Sequence, residues 1–558
     1  MIKEKIVEEL NIEGLTADSV AEVPENFTGD YSIPCFPLAM KLGKNPAQIA
    51  KEIVEAFNNE ASKSNGANKD KCVIEKLENV GPYINVTLNR NVVASEVDAD
   101  KLNFDDYNGK VACVEFSSIN LAKHPHIGHL CTTIIGACIA KIFEKVGYKV
   151  VRINYLGDYG TPFGKMITAF KKWGNKEEVE KIGVDALQDL YVKFCANENE
   201  ELLSEAREWF KKIEEKDAEA VELYNWIIKI SFNEIKHIYN LLGISFDDYN
   251  GESYYEGKRD EVIAELKAKN LVFESDGALL VDLNAYGLGN FMVLKSDGTS
   301  LYSTRDLAAA IDRKKKYNFD RSLYVTDTAQ NLHFKSVFKT LELMGYDWAK
   351  DLTHINYGRL STPQGKIASR RGKVAVLKDI FEVAETRAYE VVKERNLDKQ
   401  VATDIGVSAI SFGLLKTERI KDAVFDIESA LNFDGETSVY LQYMNARLNS
   451  IFAKAKEQGL VAGEMVDGYK VNDDEFAIIK QIDLYKEMIF DAYKDCEPCY
   501  IARYALKLAT LFSKFYNNHS ILNGEKSEIQ FRLGLCEKVK IVLVDCMNLL
   551  GVKVIEKM

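Results

Sequence analysis

Three histidines stand in one short segment that has the chemistry to bind phosphate. His124, His126 and His129 are three of the seven histidines among 558 residues. His126 and His129 are three positions apart, so both can project from one side of a helix that begins here. A helix N-terminus supplies backbone N–H groups and a partial positive charge, which suit a phosphate. Gly128 lacks a side chain, so a base or ribose can approach the backbone closely, and the segment predicts a nucleotide site.

The elements around the histidines predict a β-α-β unit. Residues 111–116 have the apolar character of a short strand, residues 132–146 that of an apolar helix, and residues 148–154 that of a second strand. This order implies a parallel sheet with a right-handed crossover. In such folds ligands bind at the turn that follows a strand, which is where the histidines stand.

Patterning divides the chain into three regions. Residues 1–105 are predicted to form a small α/β domain, and residues 106–380 an α/β, Rossmann-like domain with a parallel sheet. Residues from about 170 to 250 interrupt the second domain as a charged, amphipathic helical insertion. Residues 381–558 have an almost wholly helical pattern, which predicts an all-α domain.

Local patterns add detail to this scheme. A helix is predicted around Pro46, and a turn entering a strand at 80–88. Short strands are predicted again at 278–283 and 322–326. The apolar residues of 501–515 fall on one stripe at helical periodicity, which predicts the buried face of a helix. That stripe consists of Ile501, Tyr504, Ala505, Leu508, Leu511, Phe512 and Phe515.

The composition is ordinary for a soluble globular protein. Hydrophobic residues make up 46% of the chain and charged residues 28%, as in chains with buried cores. No apolar run reaches the roughly 18 residues that predict a transmembrane helix, and the charged start lacks the apolar core of a secretory signal. The net charge of −13 disfavours a generic basic coat protein for nucleic acid. It does not disfavour an enzyme that contacts phosphates locally.

The ten cysteines show no spacing typical of disulfides, which indicates a reduced, cytoplasmic protein. Cys496 and Cys499 form one C-x-x-C pair. A structural zinc site normally needs a second such pair, or two histidines, nearby, and none follows in the sequence. We interpret the pair as a turn before a helix with two buried thiols, and we expect no structural metal.

The histidine segment resembles the His-x-Gly-His signature of class I aminoacyl-tRNA synthetases. Its surroundings at 115–136, EFSSINLAKHPHIGHLCTTIIG, are closely similar to the arginyl-tRNA synthetase family. The resemblance continues through NYLGDYGTPFG at 154–164, SDGTSLYSTRD at 296–306, QNLH at 330–333 and YLQYMNAR at 440–447. It covers nearly the whole chain in the same order.

That resemblance implies a ligase with two chemical steps. The carboxylate of L-arginine attacks the α-phosphate of ATP and expels pyrophosphate, and the 3′ end of tRNA(Arg) then takes the arginyl group and releases AMP. No protein nucleophile is needed, so catalysis rests on positioning and on stabilising charge in the transition state. The implied partners are ATP with Mg²⁺, L-arginine and tRNA(Arg), without a membrane, and the chain is expected to be a monomer.

A basic loop is the second part of the predicted nucleotide site. The Lys-Met-Ser-Lys-Ser signature of class I enzymes corresponds here to KIASRRGK, which runs from Lys366 to Lys373 and has Ser369 in place of the second lysine. Four positive charges in eight residues suit the β- and γ-phosphates of ATP, and a solvated basic loop is the alternative. The predicted catalytic residues are Lys123, His126, His129 and Arg370. The predicted ATP-binding residues are His126, Gly128, His129, Lys366, Ser369, Arg370 and Arg371.

An arginine pocket needs carboxylates that meet a planar guanidinium. Tyr302 and Asp306 are four positions apart, so they share a face if the segment is helical, and the resemblance assigns both to the substrate side chain. It adds Glu115 as a second carboxylate, Asn120 for the α-amino and carboxyl end, and Gln330 as a polar contact. For Asp306 alone, a surface acid on a helix is the alternative. The predicted arginine-binding residues are Glu115, Ser117, Asn120, His129, Tyr302, Asp306 and Gln330.

The resemblance also implies where tRNA binds. It places the anticodon arm on residues after about 430 and the tRNA elbow on residues 1–105. Arg503, Lys507 and Lys514 lie on a helix face apart from the apolar stripe, and they are predicted to contact phosphates, with a merely solvated face as the alternative.

Two residues depart from the family pattern. Cys131 stands where Arg is common, and Pro162 where Gln is common. Contacts to a ligand or to the tRNA end are therefore expected to differ at these two positions.

Two other functions stay open at this point. A class I synthetase for cysteine would need a zinc site, and one for glutamate would need basic residues where Tyr302, Asp306 and Glu115 stand. From a different class, a tRNA-binding or regulatory protein with an inactive synthetase core is the alternative. The intact histidine signature disfavours it.

Overall fold

Three groups of secondary-structure elements follow one another along the chain, in the order that the patterning predicts. The computed structural model describes residues 2–23, 28–63, 71–97, 99, 102–121, 124–296, 302–361, 376–393, 398–432, 435–463 and 469–558. Apolar stripes cover sheets in the first two groups and pack helix on helix in the third, as the burial of apolar surface requires.

The first group is an antiparallel sheet with helices. Its elements are α1 (Ile2–Leu10), β1 (Ala21–Glu22), β2 (Tyr31–Pro34), α2 (Phe36–Leu42), α3 (Pro46–Lys63), β3 (Ile74–Val80), β4 (Tyr83–Leu88) and α4 (Arg90–Glu96). The strand order is β1-β2-β4-β3. The predicted helix around Pro46 and the predicted strand at 80–88 are confirmed as α3 and β4.

The second group is built on a parallel sheet. Its elements are β5 (Val111–Glu115), α5 (Ile127–Lys145), β6 (Lys149–Ile153), α6 (Thr161–Trp173), α7 (Lys176–Ile182), α8 (Val184–Ala196), α9 (Glu200–Glu214), α10 (Ala218–Leu242), α11 (Glu252–Glu256), α12 (Arg259–Ala268), β7 (Val272–Ser275), β8 (Ala278–Asp282), β9 (Asn290–Leu294), α13 (Tyr302–Tyr317), β10 (Arg321–Asp327), α14 (Asn331–Leu343), β11 (Leu352–Tyr357) and β12 (Leu360–Ser361). The sheet has the order β11-β10-β5-β6, with every neighbouring pair parallel.

The predicted strands at 111–116, 148–154 and 322–326 are confirmed as β5, β6 and β10 of this sheet. The strand predicted at 278–283 also exists, as β8, but it lies in a separate antiparallel sheet of order β7-β8-β9. Helices α7 to α10 lie within residues 170–250, where the helical insertion is predicted.

The third group is mainly helical. Its elements are α15 (Leu377–Val392), α16 (Lys399–Leu415), β13 (Ala423–Val424), α17 (Ile427–Ala430), α18 (Ser438–Glu457), α19 (Asp473–Asp483), α20 (Tyr485–Asp495), α21 (Cys499–Asn518) and α22 (Lys526–Leu549). The short strand β13 pairs in parallel with β12, and α15 runs across the predicted domain boundary at 381. Cys496 ends α20 with a φ of 51° and Cys499 begins α21, both buried, so the interpretation as a helix-start turn is confirmed.

Helix α5 is buried on nearly all sides. It packs against β5, β6 and β10 of the parallel sheet and against α16, α20 and α22 of the third group. Within the described residues it is the one helix long and apolar enough to cross a membrane, yet 67% of its apolar window is buried inside the protein. Contact with a sheet on one side and helices on the other accounts for this apolar composition.

Arg419 connects the parallel sheet to the third group. Its Nη1 donates to the side-chain oxygen of Asn356 at the end of β11, at 3.1 Å. Its Nε donates to the carbonyl of Cys496, at 3.1 Å, and its backbone N–H to the Glu497 carboxylate, at 3.2 Å. One side chain thus links the end of β11 to the turn between α20 and α21.

Candidate active site

The histidine turn caps helix α5. His126 is the N-cap residue, and its Nδ1 accepts the backbone N–H of Gly128 at 3.1 Å. In return, Nδ1 of His129 accepts the backbone N–H of His126 at 3.1 Å, and the two ring centroids are 3.9 Å apart. Because each Nδ1 accepts a hydrogen bond, each imidazole carries its proton on Nε2. The turn therefore presents two N–H donors at a helix N-terminus, as a phosphate site requires.

His129 is held in its neutral form. Burial, and secondly the neighbouring His126, lower the pKa of His129 to about 3. The ring therefore acts as a hydrogen-bond donor at neutral pH and not as a cation. The predicted position of both histidines on one side of a helix start is confirmed, and the helix begins at Ile127, five residues before its predicted start.

His124 has a different environment from the other two histidines. Its ring lies 3.2 Å from a carboxylate oxygen of Glu234 on α10 and 3.4 Å from one of Asp185 on α8. Burial lowers the pKa of His124, and these carboxylates more than offset that effect, so the pKa is raised. This histidine therefore ties the turn to the helical insertion.

The turn after β5 has an unusual backbone. Ser117 and Ser118 have φ values of 75° and 45°, a conformation that non-glycine residues seldom adopt and that clusters at functional sites. The buried Ser117 Oγ accepts a hydrogen bond from Thr133 Oγ1 at 2.8 Å and lies 2.7 Å from the hydroxyl of Tyr239. The Ser117 hydroxyl thus joins α5 to α10. The predicted contact between Ser117 and the substrate arginine remains a prediction.

Asn120 lies beside the second family motif. It forms a parallel bridge with Gly157, and Leu121 N–H donates to the Gly157 carbonyl at 3.1 Å. A Cβ on Gly157 would lie 2.0 Å from Asn120 Oδ1, so the glycine leaves room for that amide. The motif's Gly164 is equally constrained, because a Cβ there would lie 2.0 Å from the Ala206 carbonyl of α9.

Four predicted arginine-binding residues come from elements around the parallel sheet. Glu115 ends β5 and is buried, while Tyr302 and Asp306 occupy the first turns of α13. Gln330 is exposed and directly precedes α14. The structure brings Glu115 and Asp306 close enough that Asp306 helps to raise the pKa of the Glu115 carboxyl, after the larger effect of burial.

Sequence reasoning missed two residues of this cluster. His333 on α14 donates from Nε2 to the Asp306 carboxylate, 2.6 Å away, and its ring lies 4.9 Å from that of Tyr302. Arg313 on α13 forms a buried ion pair with Glu115. Arg313 follows Asp306 by seven positions, two helical turns, and this spacing on one face was the available signal.

A further group of charged residues lies next to the cluster. Burial, the largest effect, raises the pKa of Glu252 to about 7 against the opposing charge of Arg305. Arg305 is 3.2 Å from a Glu256 oxygen and 3.5 Å from a Glu252 oxygen. Asp158 of the second motif accepts the backbone N–H of Ser253 at 2.8 Å. Shifted carboxyl groups of this kind are enriched at functional sites.

The two departures from the family pattern are accommodated locally. Cys131 is 4% exposed on α5, and burial raises the pKa of its thiol to about 12. Pro162 stands in the first turn of α6, where its missing N–H leaves no hydrogen bond unmade.

Six predicted residues lie outside the described part of the chain. They are Lys123, Lys366, Ser369, Arg370, Arg371 and Lys373. The residues that follow the basic segment contact the histidine turn, since Val376 bridges to His126 and Leu377 N–H donates to the Pro125 carbonyl at 3.0 Å.

The basic face of α21 is exposed, and the apolar stripe opposite it is buried, with Leu511 partly so. Arg503 is 3.2 Å from Glu418, and Lys514 is 2.9 Å from Asp474. Lys507 is exposed between them. The face is therefore less positive than the sequence suggests.

Comparisons with known proteins cover the whole chain. The family described as tRNA synthetases class I (R), catalytic domain, matches residues 92–427, the DALR anticodon binding domain matches 441–558, and the arginyl tRNA synthetase N terminal domain matches 1–88. The arginine–tRNA ligase of Alkaliphilus metalliredigens is 41% identical over 100% of this chain and 99% of its own length. That of Clostridium perfringens is 39% identical, with the same coverage. The arginyl-tRNA synthetase structure from Thermus thermophilus has a TM-score of 0.78 at 24% identity, covering 100% of this chain and 99% of that one.

Proposed function

The chain belongs to the arginyl-tRNA synthetase family, and on that basis we propose that it activates L-arginine with ATP and transfers the arginyl group to tRNA(Arg). The adenylate forms when the arginine carboxylate displaces pyrophosphate from the α-phosphate. A terminal hydroxyl of tRNA then attacks the carbonyl carbon, and AMP leaves. The observation that carries the proposal is the pair of carboxylates, Glu115 and Asp306, beside a helix N-terminus capped by two imidazoles.

The nucleotide belongs at the histidine turn. The Nε2–H groups of His126 and His129 would donate to phosphate oxygens at the start of α5. Gly128 leaves room for the His126 ring, because a Cβ there would lie 3.0 Å from its Cε1, and it stays a predicted nucleotide contact. Lys366, Ser369, Arg370 and Arg371 would contact the β- and γ-phosphates. Mg²⁺ would enter on the triphosphate, and we assign the ion no protein ligand.

Arginine belongs between α13 and the end of β5. Glu115 and Asp306 would receive the guanidinium, with Tyr302 and Gln330 beside it. Asn120, Ser117 and His129 would hold the α-amino and carboxyl end. The geometry that supports this assignment is that Glu115 ends β5 while Tyr302 and Asp306 begin α13, since ligands of α/β sheets bind beyond the carboxyl ends of the strands.

A groove on the third group suits the anticodon arm. Arg447 lies 4.8 Å from the Tyr443 ring centroid and 4.5 Å from that of Tyr516. Lys454 and Met558 also line this cavity of about 510 Å³. Stacked aromatic and guanidinium planes bind unpaired bases, so we propose that the anticodon bases enter here.

The tRNA elbow would bind the first group of elements. Phe36, Met40, Leu42 and Tyr83 are large apolar side chains with exposed fractions between 41% and 86%. Such patches mark interaction surfaces. We further propose that the protein acts as a cytoplasmic monomer.

Charge reversal on α21 tests the tRNA assignment. A variant in which Glu replaces Arg503, Lys507 and Lys514 should bind tRNA more weakly and with a weaker salt dependence. Each lost phosphate contact lowers the slope of log affinity against log salt concentration by roughly 1. The measurement is tRNA affinity over a range of salt concentrations. Lys507→Glu alone should cause much of this loss of tRNA affinity, since Arg503 and Lys514 already pair with Glu418 and Asp474. An unchanged affinity and slope would mean that this face is only solvated.

Lys123 and Arg370 test which cation holds the departing pyrophosphate. Lys123 stands three positions before His126 in the sequence, and loss of one preorganised charge-stabilising group lowers kcat by a factor on the order of 10²–10³, which is the loss we expect for Lys123→Ala. Arg370→Ala should cost less and depend more on bound tRNA. Single-turnover adenylate formation with saturating ATP, arginine and tRNA would measure both. A near-normal rate for Lys123→Ala beside a collapsed rate for Arg370→Ala would reverse the assignment.

One experiment separates the proposed function from its alternatives. Total tRNA is charged with each amino acid in turn, and AMP formation is followed with and without tRNA. The proposal is supported if arginine is the one amino acid that becomes attached to tRNA, and it is contradicted if a different amino acid does. Absence of charging with every amino acid would indicate an inactive synthetase core.

A further inference from the structure

Among the residues that the structure describes, Arg313 is the largest of the fully buried side chains. Its side chain is 1% exposed, on α13, and it pairs with the 7% exposed side chain of Glu115 at the end of β5. Complete burial of a guanidinium is costly unless a carboxylate compensates for it. Arg313 lies two helical turns after Asp306 on α13, which places the pair beside the proposed arginine pocket.

Three tyrosines surround the guanidinium. The Arg313 Cζ lies 5.3 Å from the ring centroid of Tyr155, 5.7 Å from that of Tyr255 and 5.8 Å from that of Tyr324. The rings come from the segment after β6, from α11 and from β10. A planar, permanently charged group fits between aromatic faces, whereas a buried lysine tends to lose its proton. The surroundings therefore favour Arg at this position.

The pair uses one oxygen of Glu115. Nη1 of Arg313 donates to Oε2, and Oε1 has no hydrogen bond of this kind among the described residues. Asp306 likewise uses one carboxylate oxygen within the protein, since His333 Nε2 lies 2.6 Å from Oδ2. Each carboxylate is fixed by a protein group at one oxygen and can offer its second oxygen to a ligand.

From this geometry we infer that Arg313 is a positioning residue, which orients Glu115 and holds it as a carboxylate for the guanidinium of the substrate. The inference rests on the proposed function. A protonated Glu115 would present a donor to a group that has donors only, so arginine would lose one acceptor. The charges also balance, because Arg313 neutralises Glu115 and the bound arginine neutralises Asp306.

Burial raises the pKa of the Glu115 carboxyl, and the Arg313 charge opposes that effect. Without Arg313 the carboxyl would therefore hold its proton to higher pH. The fraction of carboxylate then grows as pH rises, so the arginine KM of an Arg313→Met variant should fall with rising pH relative to wild type. The ratio of the two enzymes removes the titration of arginine itself.

The test is the arginine KM of holoenzyme with saturating ATP and tRNA between pH 6.5 and 9, each value divided by that of wild type. Arg313→Met should raise the ratio about ten- to a hundredfold at the acid end, the range for one charge-assisted hydrogen bond, and the ratio should fall toward the alkaline end. The ATP KM should stay within about twofold of wild type. Glu115→Gln should give a high ratio that does not change with pH, and adding Arg313→Met to it should have little further effect.

A matched control removes another buried Arg–Glu pair. Arg532 (8% exposed side chain) pairs with the fully buried Glu475 in the helical third group. Arg532→Met should lower the Tm and leave the ratio near one at every pH. If Arg313→Met does not fold, Arg313→Lys replaces it, and a smaller rise in the arginine KM supports the inference while an unchanged KM overturns it.

Two results would overturn the inference. A ratio of one at every pH for Arg313→Met would show that Glu115 needs no partner, and a ratio below one would show that Arg313 repels the substrate. Both leave arginine charging by the wild-type enzyme intact. Absence of charging by wild type would instead overturn the proposed function together with this inference.

Discussion

Replacing Asp306 by alanine is expected to raise the arginine KM by about two to nearly four orders of magnitude, with little change in the ATP KM. The cause is the loss of the carboxylate that compensates the guanidinium, and an unpaired buried charge typically costs about 3–5 kcal/mol. Asp306 is held by His333, whose Nε2 lies 2.6 Å from Oδ2, so its carboxylate is preorganised to meet the guanidinium. Steady-state charging at varied arginine measures the effect.

Asp306→Asn is the matched control for shape. It keeps the size of the side chain and an oxygen acceptor, and it removes the charge. We expect it to lose most of the arginine affinity that Asp306→Ala loses, because charge compensation and not packing is the cause. An arginine KM at the wild-type value in either variant would contradict the assignment of Asp306.

Substitution of the two capping histidines is expected to lower kcat more than it raises the ATP KM. We propose that each donates from Nε2 where negative charge grows on the α-phosphate, and the loss of one such preorganised donor costs a factor on the order of 10²–10³. The variant that lacks both imidazoles should lose more than either single variant. Single-turnover adenylate formation measures the chemical step directly.

The control must preserve the cap, because both rings also hold the start of α5. Loss of an N-cap costs about 0.5–2 kcal/mol. Asn at position 126 and Gln at position 129 can form the same reciprocal hydrogen bonds, so His126→Asn and His129→Gln separate catalysis from folding. If these variants keep their kcat and lose only ATP affinity, the histidines bind the ground state.

Several elements were predictable because their pattern is local. The parallel strands β5, β6 and β10, the helical insertion and the apolar stripe of α21 follow from periodicity alone. The paired histidines at a helix start follow from their spacing. By contrast, the pattern of residues 278–283 predicts a strand but does not reveal its partner, and β8 joins a separate antiparallel sheet.

The proposed arginine pocket could be suggested from the sequence only through the family motifs. Asp306 and Glu115 belong to those motifs, and Arg313 and His333 were not singled out with them. Arg313 becomes significant only when β5 is placed beside α13, because its partner Glu115 is 198 positions away in sequence. Pairing across such a distance depends on topology, which one sequence does not reveal. The positive φ values of Ser117 and Ser118 were inaccessible for the same reason.

Arg419 has a consequence for the order in which the molecule is completed on the ribosome. The strands of the parallel sheet have all been synthesised by residue 357, but the acceptors of Arg419 at Cys496 and Glu497 are made about 140 residues later. Chains generally fold from the N-terminus as they emerge. The contacts that join the end of β11 to the turn between α20 and α21 can therefore form only after that turn has been synthesised. A nascent chain that stops at residue 427, the end of the catalytic family match, contains Arg419 and Asn356 but lacks Cys496 and Glu497. Arg419 is therefore expected to complete its contacts only after the chain has entered the region that matches the anticodon binding domain, residues 441–558.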